Sequence, residues 1–513
     1  MSIHNETLYI PDDFSWYGSY NTKETVKELF NHTLVQQLKS NLQPQSIRAI
    51  FVPHAGLNFS GLCSATAYHS IINQNYKRII LLCTDHYMGR GNYLPGFSTI
   101  ESSEFGNFDI DNEFINELHK HTSLEIGDIS IFNKEHSFLN QIPFLSLLSP
   151  RPKLIPIICG GDKNNTELSQ YISSIIDNTT LLICTSDMSH VNGDFNEQII
   201  GDDIYYRIRQ NDSKVTQYLS NVNSNRNDSD LNKTSICGKE AIKLFIYILS
   251  ILNTQSPLYP RLQCYYMSQQ IDNNRISEFD EHVLLNNTII NDNQSCVSYA
   301  SLIYSTESYI NNNERRTMTK ILTRYEQLQL LKYARDVIIN HFEHKSDELL
   351  KPLHCNGNNI KRGLFVTIKE RKNDKLRGCI GTLDITQDTI INNTKEYALL
   401  TAFDDPRFTP MTYEEVKSNK YIYSISLLAK LKEITLSDYL SNNSVFHLGE
   451  DGLNLTLPDG KSAYFLPSVS VEYNLNKKQL LNHLCRKIEQ NEDCYTKGKL
   501  MYNEGVEFGE EPL

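Results

Sequence analysis

The chain has 513 residues, enough for two or three domains at about 150 residues each. Its formal charge is −12, with 40% hydrophobic and 21% charged residues. That composition excludes a disordered chain and gives no general attraction to nucleic acid or anionic lipid. No window approaches the roughly eighteen consecutive apolar residues of a membrane span, and Glu6, Asp12 and Asp13 stand where a leader would need an apolar run, so a cytoplasmic protein is expected. The eleven cysteines are scattered and the closest pair is Cys485 and Cys494. Without a CxxC spacing, reduced thiols are expected, and the chain itself holds no cluster of three close cysteines for an iron–sulfur centre.

In chain order, RAIFVPHAG, GLCSATAYHSIINQ and KRIILLCTDH alternate strand and helix patterns, and LIPIICG and TTLLICTSD add further strands. This alternation predicts an α/β domain with a largely parallel sheet. Two polar stretches, Asn221 to Ser235 and Ser305 to Thr319, interrupt the pattern, and the second marks the better boundary. The division is 1–305, a linker at 306–319, and 320–513. Beyond the linker, LTRYEQLQLLKYARDVIINHF reads as one amphipathic helix, GLFVTIKERKNDKLRGCIG as two strands about a Lys372–Asp374 turn, and YIYSISLLAKL as another strand, an α+β pattern.

Three predicted strands of the first domain end alike. Ile47 to Val52 leads to His54, Arg78 to Cys83 leads to Asp85 and His86, and Leu181 to Cys184 leads to Asp187 and His190. Ligands of open α/β sheets bind outside the carboxyl ends of strands, where such side chains converge. Imidazoles beside carboxylates there suit a metal site with an acid/base neighbour. Cys237 precedes a predicted helix start in SICGKEAIKLFIYIL, where the positive end of the dipole favours thiolate. Cys63, Cys83, Cys159 and Cys184 lie on apolar runs and are assigned to packing.

PHAG with LNFSG at Pro53 to Gly61, the strand ending in His86, EHSFLNQIPF from Glu135, SDMSH at Ser186 to His190 and SICG at Ser235 to Gly238 resemble the Memo family. The opening SWYGSY and closing SCVSYASLIY extend the resemblance over about residues 10 to 305. The resemblance implies an extradiol-dioxygenase-like fold, with His54, His86 and Cys237 as metal ligands. Asp187 and His190 then stand beside them, with His136 near the cleft, as catalytic residues. Family members usually carry Glu where this chain has Leu139, and often an aromatic residue where it has Val191. Two imidazoles and a thiolate suit Fe(II), Cu or Zn. The resemblance favours Fe(II).

KLRGCIGT from Lys375, AFDDPRFTPMTYEEV from Ala402 and YSISLLAKL from Tyr423 resemble the AMMECR family over about residues 320 to 508. Arg377, Cys379, Asp405 and Arg407 form the candidate second site, either as a ligand fork or as an Arg–Asp pair bracing a loop. The fusion resembles the AmmeMemoRadiSam arrangement. It implies a separate radical-SAM protein as partner, a small-molecule or peptide substrate, and a metal-dependent oxidoreductase. A non-enzymatic iron- or copper-binding protein and a signalling adaptor with a vestigial crevice are the alternative readings.

Overall fold

A computed structural model describes residues 6–510 apart from 12–14, 17–18, 21, 38–45, 90, 162–164, 202–203, 224–227, 272–289, 292, 307–320, 345, 347–349, 353–359, 386–387 and 442–443. The expected linker beyond Thr306, Tyr17 and Gly18 of SWYGSY, and residues 224–227 of the first polar stretch lie outside the described residues. The chain divides into two compact units, one drawn from residues up to 308 and one drawn chiefly from Glu326 onward.

The first unit is built on a nine-stranded sheet. Its strands are β1 (Ile47–Val52), β2 (Arg78–Thr84), β3 (Asn92–Pro95), β4 (Glu125–Gly127), β5 (Lys153–Cys159), β6 (Thr180–Thr185), β7 (His190–Val191), β8 (Tyr259–Met267) and β9 (Cys296–Ser305). The spatial order is β7-β9-β1-β6-β2-β5-β3-β4, with β8 also on β9. The centre is parallel: β1 with β6, β6 with β2, and β2 with β5. These strands are buried nearly throughout. Continuous Ile, Leu and Val runs are what a sheet covered on both faces requires.

The sheet is mixed rather than largely parallel. β9 pairs antiparallel with β1, β7 and β8, and β3 pairs antiparallel with β5. The last strand enters between β1 and β8 against the direction of the core, and the strand–helix alternation of the first two hundred residues carries no signal of that return. Helix α1 (Leu57–His69) packs against β8 and β9. A one-turn helix, α2 (His136–Leu139), follows Glu135. Two longer ones, α3 (Ile204–Ser220) and α4 (Lys239–Gln255), flank the sheet further on, with α4 against β2 and β6.

The second unit holds a seven-stranded antiparallel sheet. Its strands are β10 (Gly363–Glu370), β11 (Leu376–Thr382), β12 (Tyr421–Leu428), β13 (Lys432–Ile434), β14 (Asp451–Thr456), β15 (Ser462–Phe465) and β16 (Lys499–Gly509). They run in the order β11-β10-β12-β16-β14-β15, with β13 on β16. Helix α5 (Arg324–Glu343) leads into the unit and α6 (Ile390–Phe403) packs on β10 and β11. The expectation of reduced thiols is corrected at Cys485 and Cys494, which are joined in a disulfide with Cα atoms 5.8 Å apart. A helix end and the loop that folds back on it bring the two together, a proximity that a nine-residue spacing does not reveal. Among the described residues no helix is long and apolar enough to cross a membrane.

Candidate metal centre

The parallel core fixes the site because β1, β2 and β6 end at one edge. His54 follows β1 by two residues and is buried. Its loop is gripped from two sides. Asp187, just past β6, accepts the backbone N–H groups of His54 and Ala55 at 2.8 and 3.2 Å through Oδ1. From the α2 segment, Asn140 Nδ2 donates to the His54 carbonyl at 2.8 Å and Gln141 Nε2 to the Pro53 carbonyl at 3.3 Å. The His54 ring has Nδ1 at 3.3 Å from Thr185 Oγ1 and Nε2 at 3.2 Å from Cys237 Sγ.

His86, two residues past β2, donates from Nδ1 to Glu135 Oε1 at 2.8 Å, and its backbone N–H donates to Oε2 at 2.9 Å. Glu135 also caps α2 by accepting from the Ser137 N–H at 3.0 Å. The bond to Glu135 fixes the orientation of the His86 ring and leaves Nε2 for Cys237. Cys237 sits just before Gly238, the N-cap of α4. A Cβ on Gly238 would lie 2.6 Å from Ser186 Cβ and 2.7 Å from Thr84 Oγ1, so only glycine lets the helix start approach the strand ends this closely. The Gly238 N–H donates to Ser186 Oγ at 2.9 Å.

All six residues expected in this crevice are therefore neighbours. Ligand atoms of His54, His86 and Cys237 all lie within 4.8 Å of one another, as do those of Asp187, His190 and Cys237, and of His86, Glu135 and His136. The His136 ring stacks on His86 at 4.1 Å and meets His54 edge-on at 5.3 Å. His190 donates from Nδ1 to the Met188 carbonyl at 3.0 Å, which leaves its Nε2 as acceptor.

Burial, then the neighbouring His86, His136 and His190, push His54 well below the ordinary imidazole range. Burial also pulls His136 down, to about 4, with His86 adding to the shift. For His86 burial opposes protonation, but hydrogen bonds to Cys237 and Glu135 overcome it and raise the pKa to about 10. Asp187 is raised by burial despite His190 and the two backbone N–H groups it accepts. Without a metal, His54 and His136 are neutral while His86 holds its proton between Glu135 and Cys237, so a cation bound by His54, His86 and Cys237 would displace that proton.

One pair of the donor set has the spacing that a metal ion requires. Metal–ligand bonds of about 2.0–2.3 Å at tetrahedral angles hold ligand atoms roughly 3.5 Å apart, close to the 3.2 Å between His54 Nε2 and Cys237 Sγ. Glu135 is the residue that sequence reasoning passed over. Its only signal was its place directly before His136 in the EHS motif. Leu139, in the position where a carboxylate was expected, is buried and apolar.

In the second unit the four candidate residues divide. Asp405 is buried, accepts the Cys379 N–H at 2.9 Å, and takes Arg407 Nε and Nη2 at 2.9 and 2.7 Å. Arg407 Nη2 also donates to the Cys379 carbonyl at 2.9 Å. Arg377 is not part of this group. It pairs with Glu415 at 3.4 Å, a partner supplied by the helix turn after Thr412 that the motif spacing did not suggest.

The Arg407 hydrogen bond holds Asp405 down at about 2, against a modest opposing effect of burial. Since this folded pKa lies below the unfolded carboxylate value, the pair contributes stability above about pH 3.9 that is lost as pH falls toward 2. Arg407→Ala is expected to return Asp405 to the ordinary carboxylate range or above it. The acid limb of unfolding of the second unit then moves to higher pH, followed by carboxyl NMR titration and circular dichroism.

Sheet and site together define an α/β protein with a cluster of His, Cys and carboxylate side chains that could hold an ion at the carboxyl edge of its parallel strands. Residues 15–280 match the family described as Memo-like protein, and residues 331–504 match AMMECR1. The chain belongs to the Memo-like protein family and carries an AMMECR1 domain in the same polypeptide. A protein of Sulfolobus acidocaldarius is 34% identical over 173 residues, covering 33% of this chain and 73% of its own length. A MEMO1 family protein of Methanobrevibacter smithii is 25% identical over 198 residues, 36% of this chain and 67% of its own. Among solved structures, uncharacterized protein PH0010 from Pyrococcus horikoshii is 27% identical. That match covers 36% of this chain and 90% of that one, with a TM-score of 0.32.

Proposed function

We propose that the first unit is a mononuclear metal-dependent redox protein in which His54, His86 and Cys237 hold ferrous iron. The observation that supports this most is the donor set itself, two imidazoles and a thiol with the Glu135 carboxylate behind His86. Copper or zinc would fit the same atoms, and iron is preferred here because the Memo resemblance implies it. When bound, ferrous iron supplies one-electron chemistry and an open position for substrate.

The protein's residues have separable tasks. Glu135 orients His86, and Asp187 holds the His54 loop while its Oδ2 stands 4.0 Å from His54 Nε2. His190, fixed through Nδ1, keeps Nε2 as a proton acceptor at the rim. His136 presents an uncharged imidazole beside His86. Depressed and elevated pKa values side by side are what acid/base work requires. On this reading the AMMECR1 unit supplies substrate binding or docking, and the protein works in the cytoplasm with a separate radical-SAM protein on a small-molecule or peptide substrate.

The test is spectroscopic. Full-length protein loaded with Fe(II) without oxygen and exposed to nitric oxide is expected to give the paramagnetic resonance signal of a ferrous–nitrosyl adduct, lost in Cys237→Ala. Tight iron binding without that signal would mean a closed site and would favour a carrier over an enzyme.

A further inference from the structure

The register of the second unit's sheet sets Cys379 opposite Thr367, Thr367 opposite Ser424, and Ser426 opposite both Phe365 and Glu507. Directly opposed residues share a face and every second residue returns to it. Cys379, Thr367, Ser424, Ser426 and Glu507 therefore project to one side of the sheet. The other side carries Leu364, Val366, Ile368, Ile425 and Leu427, all buried apolar residues, and α6 packs on β10.

The polar side is only partly satisfied internally. Thr367 Oγ1 donates to Cys379 Sγ at 3.3 Å, and Ser424 Oγ donates to Glu507 Oε1 at 3.0 Å. Ser426 is 1% exposed and its hydroxyl, like the shielded Glu507 Oε2, has no hydrogen-bond partner among the described residues. Buried polar groups are ordinarily paired, so an acceptor and a hydroxyl left open on one face call for a donor from outside.

Opposite charge stands at the rim. Arg407, half exposed, is anchored through Asp405 and reaches the Cys379 carbonyl. Lys487 donates to the Tyr464 carbonyl at 3.0 Å and lies in electrostatic reach of Cys379 and Arg407, with no carboxylate partner among the described residues. The Tyr464 ring stacks with Phe365 at 6.2 Å, which adds an apolar wall. Glu507 and Lys487, which do not pair with each other, each lie within electrostatic reach of the Cys379 thiol, with Lys369 near Glu507 but held by Glu472, and together they complement a ligand carrying both charges.

We propose that this face binds a small apolar α-amino acid. Its carboxylate meets Lys487 and Arg407, its ammonium group donates to Glu507 Oε2 and Ser426, and its side chain lies against Phe365. The site does not rest on the metal-centre reading. Cys379 reports on it, because only Cys237 and Cys379 among the free cysteines described are not buried.

The test labels full-length protein with limiting iodoacetamide and reads Cys379 by peptide mass mapping, with calorimetry as a second readout. L-leucine is expected to slow labelling several-fold while leaving Cys237 unaffected, and to give a binding heat. Propionate and isobutylamine, which carry one charge each, are expected to do neither. Lys487→Met and Glu507→Gln should each remove the protection by L-leucine and its heat. Equal protection by all three compounds, or neither protection nor heat with L-leucine, would overturn the proposal.

Discussion

Glu135→Ala is expected to destabilise the first unit by about 3 kcal/mol and to weaken metal binding by roughly 10- to 100-fold. The carboxylate is buried and accepts from the His86 backbone, the His86 ring and the Ser137 N–H. Removing it leaves three donors without an acceptor, one of them an imidazole whose protonation the carboxylate supports. His86 then loses its orientation. Glu135→Gln keeps the volume and one acceptor oxygen, so it should cost less in stability but still loosen the metal. Chemical denaturation of the metal-free variants, followed by competition with a chelator of known affinity, separates the two effects.

The second large effect is expected at Asp212, on α3, which touches none of the candidate ligands. It is fully buried, and its two oxygens accept from the Ser189 N–H and hydroxyl at 3.1 and 2.7 Å, from Tyr265 at 2.7 Å and from Ser298 at 2.5 Å. These bonds pin the segment between Asp187 and His190 onto β8 and β9. Asp212→Ala strands four donors in the core and should cost about 3 kcal/mol or more. Burial already raises the Asp212 pKa despite its hydrogen bonds, so a neutral replacement is tolerated better. In Asp212→Asn the amide oxygen still accepts from Ser189, while the Ser298 and Tyr265 hydroxyls can turn to accept from Nδ2, for a loss of about 1 kcal/mol. Thermal unfolding of the two variants checks this order.

These two residues also mark where the sequence stops being legible. Histidines two residues past predicted strands lie together because parallel strands share a carboxyl edge, and that rule needs only the strand pattern. The spans themselves follow closely: Ile47–Val52 is the predicted strand, and Arg78–Thr84 and Thr180–Thr185 differ from expectation by single residues. Glu135 and Asp212 carry no such pattern. The bond that matters at Glu135 reaches His86, 49 residues away, and the partners of Asp212 lie 23 or more residues away, so each role exists only in the folded contact. The antiparallel β9 is hidden for a related reason, since a period-two apolar run fits either direction of pairing. In the second unit Arg377 and Arg407 look equivalent in their motifs. Only the position of Glu415 after the Thr412 cap draws one of them away from Cys379.

His54, His86 and Cys237 are proposed to hold one redox-active metal. The most direct measurement is elemental analysis of full-length protein purified without oxygen, alongside His54→Ala and Cys237→Ala checked for folding by circular dichroism. Near-stoichiometric iron in the unmodified protein, absent from both folded variants, is the predicted result. An unmodified protein without metal, or variants that keep it, would overturn that ligand assignment.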